Sequence, residues 1–435
     1  MNRTLLSTLS ALAVAAAALP LAVSAQPGAN QIASSATLPE LPLASIQNLA
    51  LPGSLADDRS VNLGGIGSDM WRDPGAPGGD FWLVTDRGPN GQIRMDGKNR
   101  RTFPVPDFTP LILQVRTSGD AIGVRQVIPL VGRSGAPVSG LSNVQGHDEL
   151  PYDYSAQVEL SFNPSGLDTE GLVRTSNGEF WLAEEYGPSI LRVAADGTVL
   201  KRYVPEGIDI SAADYDVAAT LPGILGLRKG NRGFEGLALS ADESTLYIAL
   251  QSPLSNPDED VGEASRNTRI LAFDVATETV TAEYLYQFQV STEFGESAIP
   301  DDMKVSGLIA VSPTHLLVLE RTDAAAHIYR VDLDGASNIL GTAADDQNAS
   351  PSLEEMEDPA AAGFPPLAKT LVANLDSIEG VPDKIEGISV IDNDTIAIVN
   401  DNDFGVGTFD ENGQLQSTGT PSRILIIDLS APILP

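Results

Sequence analysis

Acidic residues recur at two fixed places in this chain. Glu170, Glu235 and Glu386 each stand directly before a Gly that opens an apolar run, and Asp86, Glu184, Glu320 and Asp401 close a second apolar run soon after. Basic residues keep similar offsets: Lys304 and Lys384 lie three residues before such a Gly, Arg232 four before it in its longer spacing, and Arg87 and Arg321 directly follow a strand-ending acid. If these positions converge, they form a mixed rim of carboxylates and cations. Gathered carboxylates persist only where cations, protons or ion pairs offset their repulsion. The rim therefore has two readings. It is either a set of salt bridges that tie the hairpin tops together, or a site whose carboxylates hold a hard cation such as calcium while Lys and Arg meet an anionic substrate.

The elements that would position these groups repeat. Copies begin at Asp168-Thr169-Glu170-Gly171-Leu172, Gly233-Phe234-Glu235-Gly236-Leu237, Lys304-Val305-Ser306-Gly307-Leu308 and Lys384-Ile385-Glu386-Gly387-Ile388, with a divergent one at Gly65-Ile66-Gly67-Ser68-Asp69. Each is followed by a second apolar run, such as Phe180-Trp181-Leu182-Ala183-Glu184 or Thr395-Ile396-Ala397-Ile398-Val399-Asn400, and then by one or two further β-like runs. Helical periodicity is nearly absent, and Gly, Pro, Asn and Asp punctuate the runs as turns. A unit of about four antiparallel strands repeated in this way is a propeller blade. The fold class read from the sequence is all-β, a β-propeller with five clear repeats and five or six blades, the sixth sought between Val131 and Leu167. The competing architecture, one or two β-sandwiches, does not repeat internally in this manner. The last unit lacks an outer strand, which Ile46 to Leu51 is expected to supply. In adjacent antiparallel strands the start of the first lies beside the end of the second. Both acidic sets should therefore face one end of the central channel.

Three further features bound the function. Arg3, the apolar stretch Leu12 to Val23 and the small residues up to Ala25 have the layout of a secretory signal peptide cut after Ala25. This predicts export to the periplasm or beyond, a flexible segment over 26–44 and one domain over 45–435. The chain has no cysteine, so neither a disulfide framework nor thiolate chemistry is available. Its formal charge of −33 makes nucleic acid and anionic membranes poor partners, and a monomer acting on a small anionic molecule is expected. No Gly-x-Ser-x-Gly elbow, His-Glu-x-x-His pair or phosphate loop occurs. The insertions Pro253 to Arg266 and Asp345 to Pro366, the latter with Glu354-Glu355-Met356-Glu357-Asp358, read as solvated loops.

Taken in order, Asp86-Arg87-Gly88-Pro89, Trp181-Leu182-Ala183-Glu184-Glu185-Tyr186-Gly187-Pro188, Asn231-Arg232-Gly233-Phe234-Glu235-Gly236-Leu237 and Lys384-Ile385-Glu386-Gly387-Ile388 resemble the bacterial phytase-like proteins, described as having esterase-like activity of the phytase type. The resemblance spans about Ser45 to Leu429. It implies an exported propeller related to calcium-dependent phytases, in which calcium at an acidic channel mouth binds substrate phosphates and activates water. The five repeats depart from the six blades of those phytases. On this reading Glu170, Glu235 and Glu386 are catalytic, Asp86, Glu184, Glu320 and Asp401 hold metal, and Arg87, Arg232, Lys304, Arg321 and Lys384 bind a phosphoester or related anion. A propeller module that binds a ligand or protein without catalysis is the alternative.

Overall fold

A computed structural model describes residues 29–434. The chain forms a five-bladed β-propeller. Blade I comprises Asp69–Trp71, Asp80–Val84, Leu111–Ser118 and Ala121–Pro129. Blade II comprises Thr169–Arg174, Phe180–Glu184, Ser189–Val193 and Val199–Pro205, with Asp216–Leu221 added in parallel at its edge. Blade III runs through Phe234–Leu239, Thr245–Leu250, Asn267–Asp274 and Thr279–Gln287, and blade IV through Lys304–Ser312, His315–Arg321, Ala326–Asp332 and Ala368–Asn374. Blade V takes Ile385–Asp392, Thr395–Asn400 and Arg423–Asp428 from the end of the chain. Its outer strand, Gln31–Thr37, comes from the beginning and pairs antiparallel with Arg423–Asp428. The ring is thus closed by hydrogen bonds between the two ends of the described chain.

The repeated Gly has a packing reason. The innermost strands of neighbouring blades touch around the axis, I against II, II against III and on to V against I. A Cβ on Gly171 would come within 2.8 Å of Leu237 Cβ, one on Gly236 within 3.0 Å of Leu308 Cβ, and one on Gly307 within 2.5 Å of Ile388 Cγ2. Gly permits that approach without displacing the facing strand. The divergent copy places Asp69 there instead, and its buried carboxylate accepts the backbone N–H of Leu172 across the blade I–II boundary at 2.8 Å. Away from the axis each pair of blades encloses its own apolar layer, for example Val173, Trp181, Tyr203, Phe234, Leu246 and Phe273 between blades II and III. Middle strands have both faces in such layers, which explains their uninterrupted apolar runs.

Three expectations need correction. Ile46 to Leu51 is not the closing strand, because helix Leu43–Ala50 occupies it and buries Leu43 and Gln47. The actual closing strand lies in the segment expected to be flexible, and it is hard to read because this outermost position leaves most of Gln-Ile-Ala-Ser-Ser-Ala-Thr at least partly exposed. No sixth blade lies between Val131 and Leu167, where the one named strand is Pro151–Tyr152. It joins the hairpin Gly91–Met95 and Lys98–Thr102 in a small separate sheet. The loop around Glu354 is not wholly solvated either: the Glu354 carboxylate is buried and ion-paired with Arg269, which also meets Glu283 at 2.8 Å. The signal-peptide reading falls outside the described residues. Among those described, no helix is long and apolar enough to cross a membrane.

Candidate functional site

At one end of the propeller axis, side chains from all five blades line a polar cavity of about 170 Å³. Two tiers build it. The inner-strand tier comes from the residue before the repeat Gly or its equivalent: Ser68, Glu170, Glu235, Ser306 and Glu386 in blades I to V. Ser306 Oγ donates to Glu235 Oε1 at 2.9 Å, while the other four residues line the cavity directly. The outer tier comes from the sixth residue of each second apolar run, counted from Phe81, Phe180, Leu246, Leu316 and Ile396. These residues are Asp86, Glu185, Gln251, Arg321 and Asp401, and all five line the cavity.

The carboxylates form two overlapping triads. Oxygens of Asp86, Asp168 and Glu170 lie within 4.8 Å of one another, as do oxygens of Glu170, Glu235 and Glu386, so Glu170 belongs to both. Each triad also has one buried guanidinium. Arg87 Nη1 is 3.2 Å from Asp168 Oδ2, and the Arg87 side chain is fixed by Asn231 Oδ1 and faces the Tyr186 ring. Arg321 ion-pairs with Glu386, reaches Glu235 at 3.5 Å and Asp323 at 3.1 Å, and donates through Nε to Ser306 Oγ at 2.7 Å. At the rim Lys304 pairs with Asp323 at 2.5 Å, and Lys384 with Asp401 at 3.1 Å and Asp403 at 2.6 Å. The cavity lining counts eight carboxylates and five cations, so negative charge remains in excess.

That excess moves the acids. Burial first, then the charges of Asp401 and Asp168, push Asp86 up, and burial with Asp168 and Glu235 does the same to Glu170. Glu185 is raised by burial and by Asp168. Glu235 is pushed up to about 7 by burial and Glu386, and Asp401 to about 8 by burial and Asp403, against the pull of Lys384. Such groups keep protons near neutral pH unless a cation takes the protons' place. Two buried oxygens of the cavity lining also lack a hydrogen-bond partner, Ser68 Oγ and Gln251 Oε1. An all-oxygen, carboxylate-rich donor set of this kind fits a hard divalent cation.

Nine of the twelve residues singled out from the sequence meet at this cavity: Asp86, Arg87, Glu170, Glu235, Lys304, Arg321, Lys384, Glu386 and Asp401. Three do not. Glu184, expected to hold metal, points into blade II, where Arg202 pairs with it and Ser189 Oγ and the Asp168 N–H donate at 2.7 and 3.0 Å. Glu320, expected in the same role, is bound by Lys369 Nζ at 2.7 Å and by Gln289 N and Tyr286 OH at 2.5 Å. Both sit one residue before the cavity-facing position, and a one-residue step along a strand reverses the face. Arg232 lies beside the cavity, in an adjoining cleft. Asp168, Glu185, Asp323 and Asp403 were missed. Counting to the sixth residue of each run would have found Glu185 in place of Glu184.

The phytase-like family described as "Esterase-like activity of phytase" matches residues 61–404. An uncharacterized secreted protein of Arthroderma benhamiae is 25% identical over 306 residues, 61% of this chain, and the chain spans 59% of that relative's length. Among solved structures, a luciferin-regenerating enzyme is similar at 10% identity and a TM-score of 0.35, covering 84% of this chain and 92% of its own. A calcium-binding protein, regucalcin, from Agrobacterium tumefaciens is similar at 12% identity and a TM-score of 0.35, covering 87% and 95%.

Proposed function

The chain belongs to the phytase-like family, and from that premise we propose that it is an exported hydrolase of phosphoesters or related esters, assisted by calcium. The observation that carries the reading is the pair of carboxylate triads joined at Glu170. Calcium takes six to eight oxygens at about 2.3–2.6 Å, which suits carboxylate oxygens gathered this closely. Asp86, Asp168 and Glu170 would hold one ion, and Glu170, Glu235 and Glu386 line the place for a second. A bound ion of this kind polarises a phosphoryl or acyl oxygen and acidifies a water.

The chain's own groups account for the remaining work. Glu235 is pushed up to about 7 by burial and Glu386 without an ion; beside one it would be a carboxylate, able to take a proton from an attacking water. Lys304 and Lys384 flank the opening and would exchange part of their pairing with Asp323 and Asp403 for an anionic substrate group. Arg87 and Arg321, already held by carboxylates and neighbouring polar groups, fix the shape of the walls and offer remaining N–H groups to developing negative charge. Export fits a secreted relative.

The test is hydrolysis of p-nitrophenyl phosphate, p-nitrophenyl acetate and phytate by the purified protein, with calcium and with chelator. Calcium-dependent turnover that Glu170→Gln abolishes supports the proposal. Calcium binding with no turnover of any of the three would leave a ligand-binding propeller instead.

A further inference from the structure

A second cleft of about 330 Å³ opens beside the mouth, between blades III and IV, and shares Lys304 and Asp323 with it. Its wall differs in character. Phe294, Ala298 and Ala324 give it an apolar side, and Phe294 is backed by His327, whose ring centre is 4.1 Å away and which is itself bonded to Asp376 at 3.2 Å. Arg232 supplies a cation on the wall. Among the described residues its guanidinium forms no ion pair within 4.0 Å, and its one side-chain hydrogen bond is a long one, 3.5 Å to Ser252 Oγ. Beside the mouth, Arg232 thus carries a charge that no carboxylate among the described residues answers within 4.0 Å. Asp302, also on the wall, is turned back onto the Ile299 N–H at 2.9 Å. The arginine's charge reaches toward the mouth as well, since Lys304 is held below the usual lysine range by burial, then by Arg321 and Arg232.

We propose that this cleft receives the organic part of the anion held at the mouth, and that Arg232 selects for an acidic group on that organic part. The placement rests on the reading of the mouth as the anion-binding site. Phe294 and the two alanines would bury a ring or short chain, while the guanidinium would pair with a carboxylate or comparable group on it.

The test measures binding, so that it stands apart from turnover. With calcium present, calorimetry compares phenylphosphonate with 4-carboxyphenylphosphonate. The carboxylated compound should bind about tenfold more tightly, the scale of one charge-assisted hydrogen bond. Arg232→Ala should erase that preference, and Ala324→Trp, which fills the cleft from an exposed position, should weaken both compounds. Equal affinities in the unaltered protein, or a preference that survives Arg232→Ala, overturn the proposal. Turnover of the matching aryl phosphates is read separately: its absence beside an Arg232-dependent preference would remove the hydrolase and leave the cleft.

Discussion

Glu184 and Glu185 are adjacent, and both are almost completely buried, yet they belong to different chemistry. Glu184 is answered on every side by Arg202, Ser189 and the Asp168 N–H, and Glu320 is answered in the same way by Lys369, Tyr286 and Gln289. Glu185 faces the cavity, where its nearest cation, Arg87, is 3.9 Å away and burial, then Asp168, raise its pKa. Burial of a carboxylate therefore does not mark a site by itself. What separates the two classes is whether the chain supplies the compensating charge or leaves a gap for it. The closed pairs tie strands within a blade and between blades. The open carboxylates oppose folding until something cationic arrives.

This contrast can be broken or sharpened by experiment. The largest expected effect is on the closed side: Arg202→Met should lower unfolding free energy by about 3–5 kcal/mol, because it strands Glu184 without a counter-charge. Urea denaturation measures this, and a loss of calcium affinity in the same variant would break the distinction. On the open side, Glu170→Gln should weaken calcium binding by about 100-fold or more in calorimetry, since it removes a ligand shared by both triads and not merely a supporting contact. The same variant should be more stable than the unaltered protein in chelator, where relief of repulsion is the main effect.

Calcium at about 100 times its dissociation constant should stabilise the protein by about 2.7 kcal/mol, and Glu170→Gln should lose that gain. The smallest effect is in pH dependence. Glu235 and Asp401, pushed up to about 7 and about 8, bind more protons when folded than when unfolded. In chelator, stability should then fall as pH rises from about 5 to about 8. Calcium, taking the protons' place, should flatten the mouth's share of that slope.

Some of this was legible and some was not, for identifiable reasons. The Gly after Glu170, Glu235, Ser306 and Glu386 repeats because inner strands meet at the axis, so it marked the repeats while a sixth blade stayed open. Strand Gln31–Thr37 escaped because an outermost strand needs little apolar surface, while Ile46 and its neighbours attracted attention with side chains that serve a helix. Glu184 and Glu320 were misplaced by one residue, because an acid at the end of a strand does not announce which face it takes. Glu354 reads as part of a solvated loop although it pairs with Arg269, which also meets Glu283, since a loop acid that turns inward looks like one that turns out.

The sequence alone determined that strands would repeat, that inner strands would be glycine-marked, and that acids and bases would collect at one end of the hairpins. These follow from local rules of alternation, turn chemistry and close packing, which act over a few residues. Tertiary structure decided that there are five blades, which segment closes the ring, and which acids find a partner. Those outcomes depend on groups distant along the chain, such as Asp168 beside Arg87 or Arg321 beside Glu386, and a charge is satisfied or left open only by what lies next to it in space.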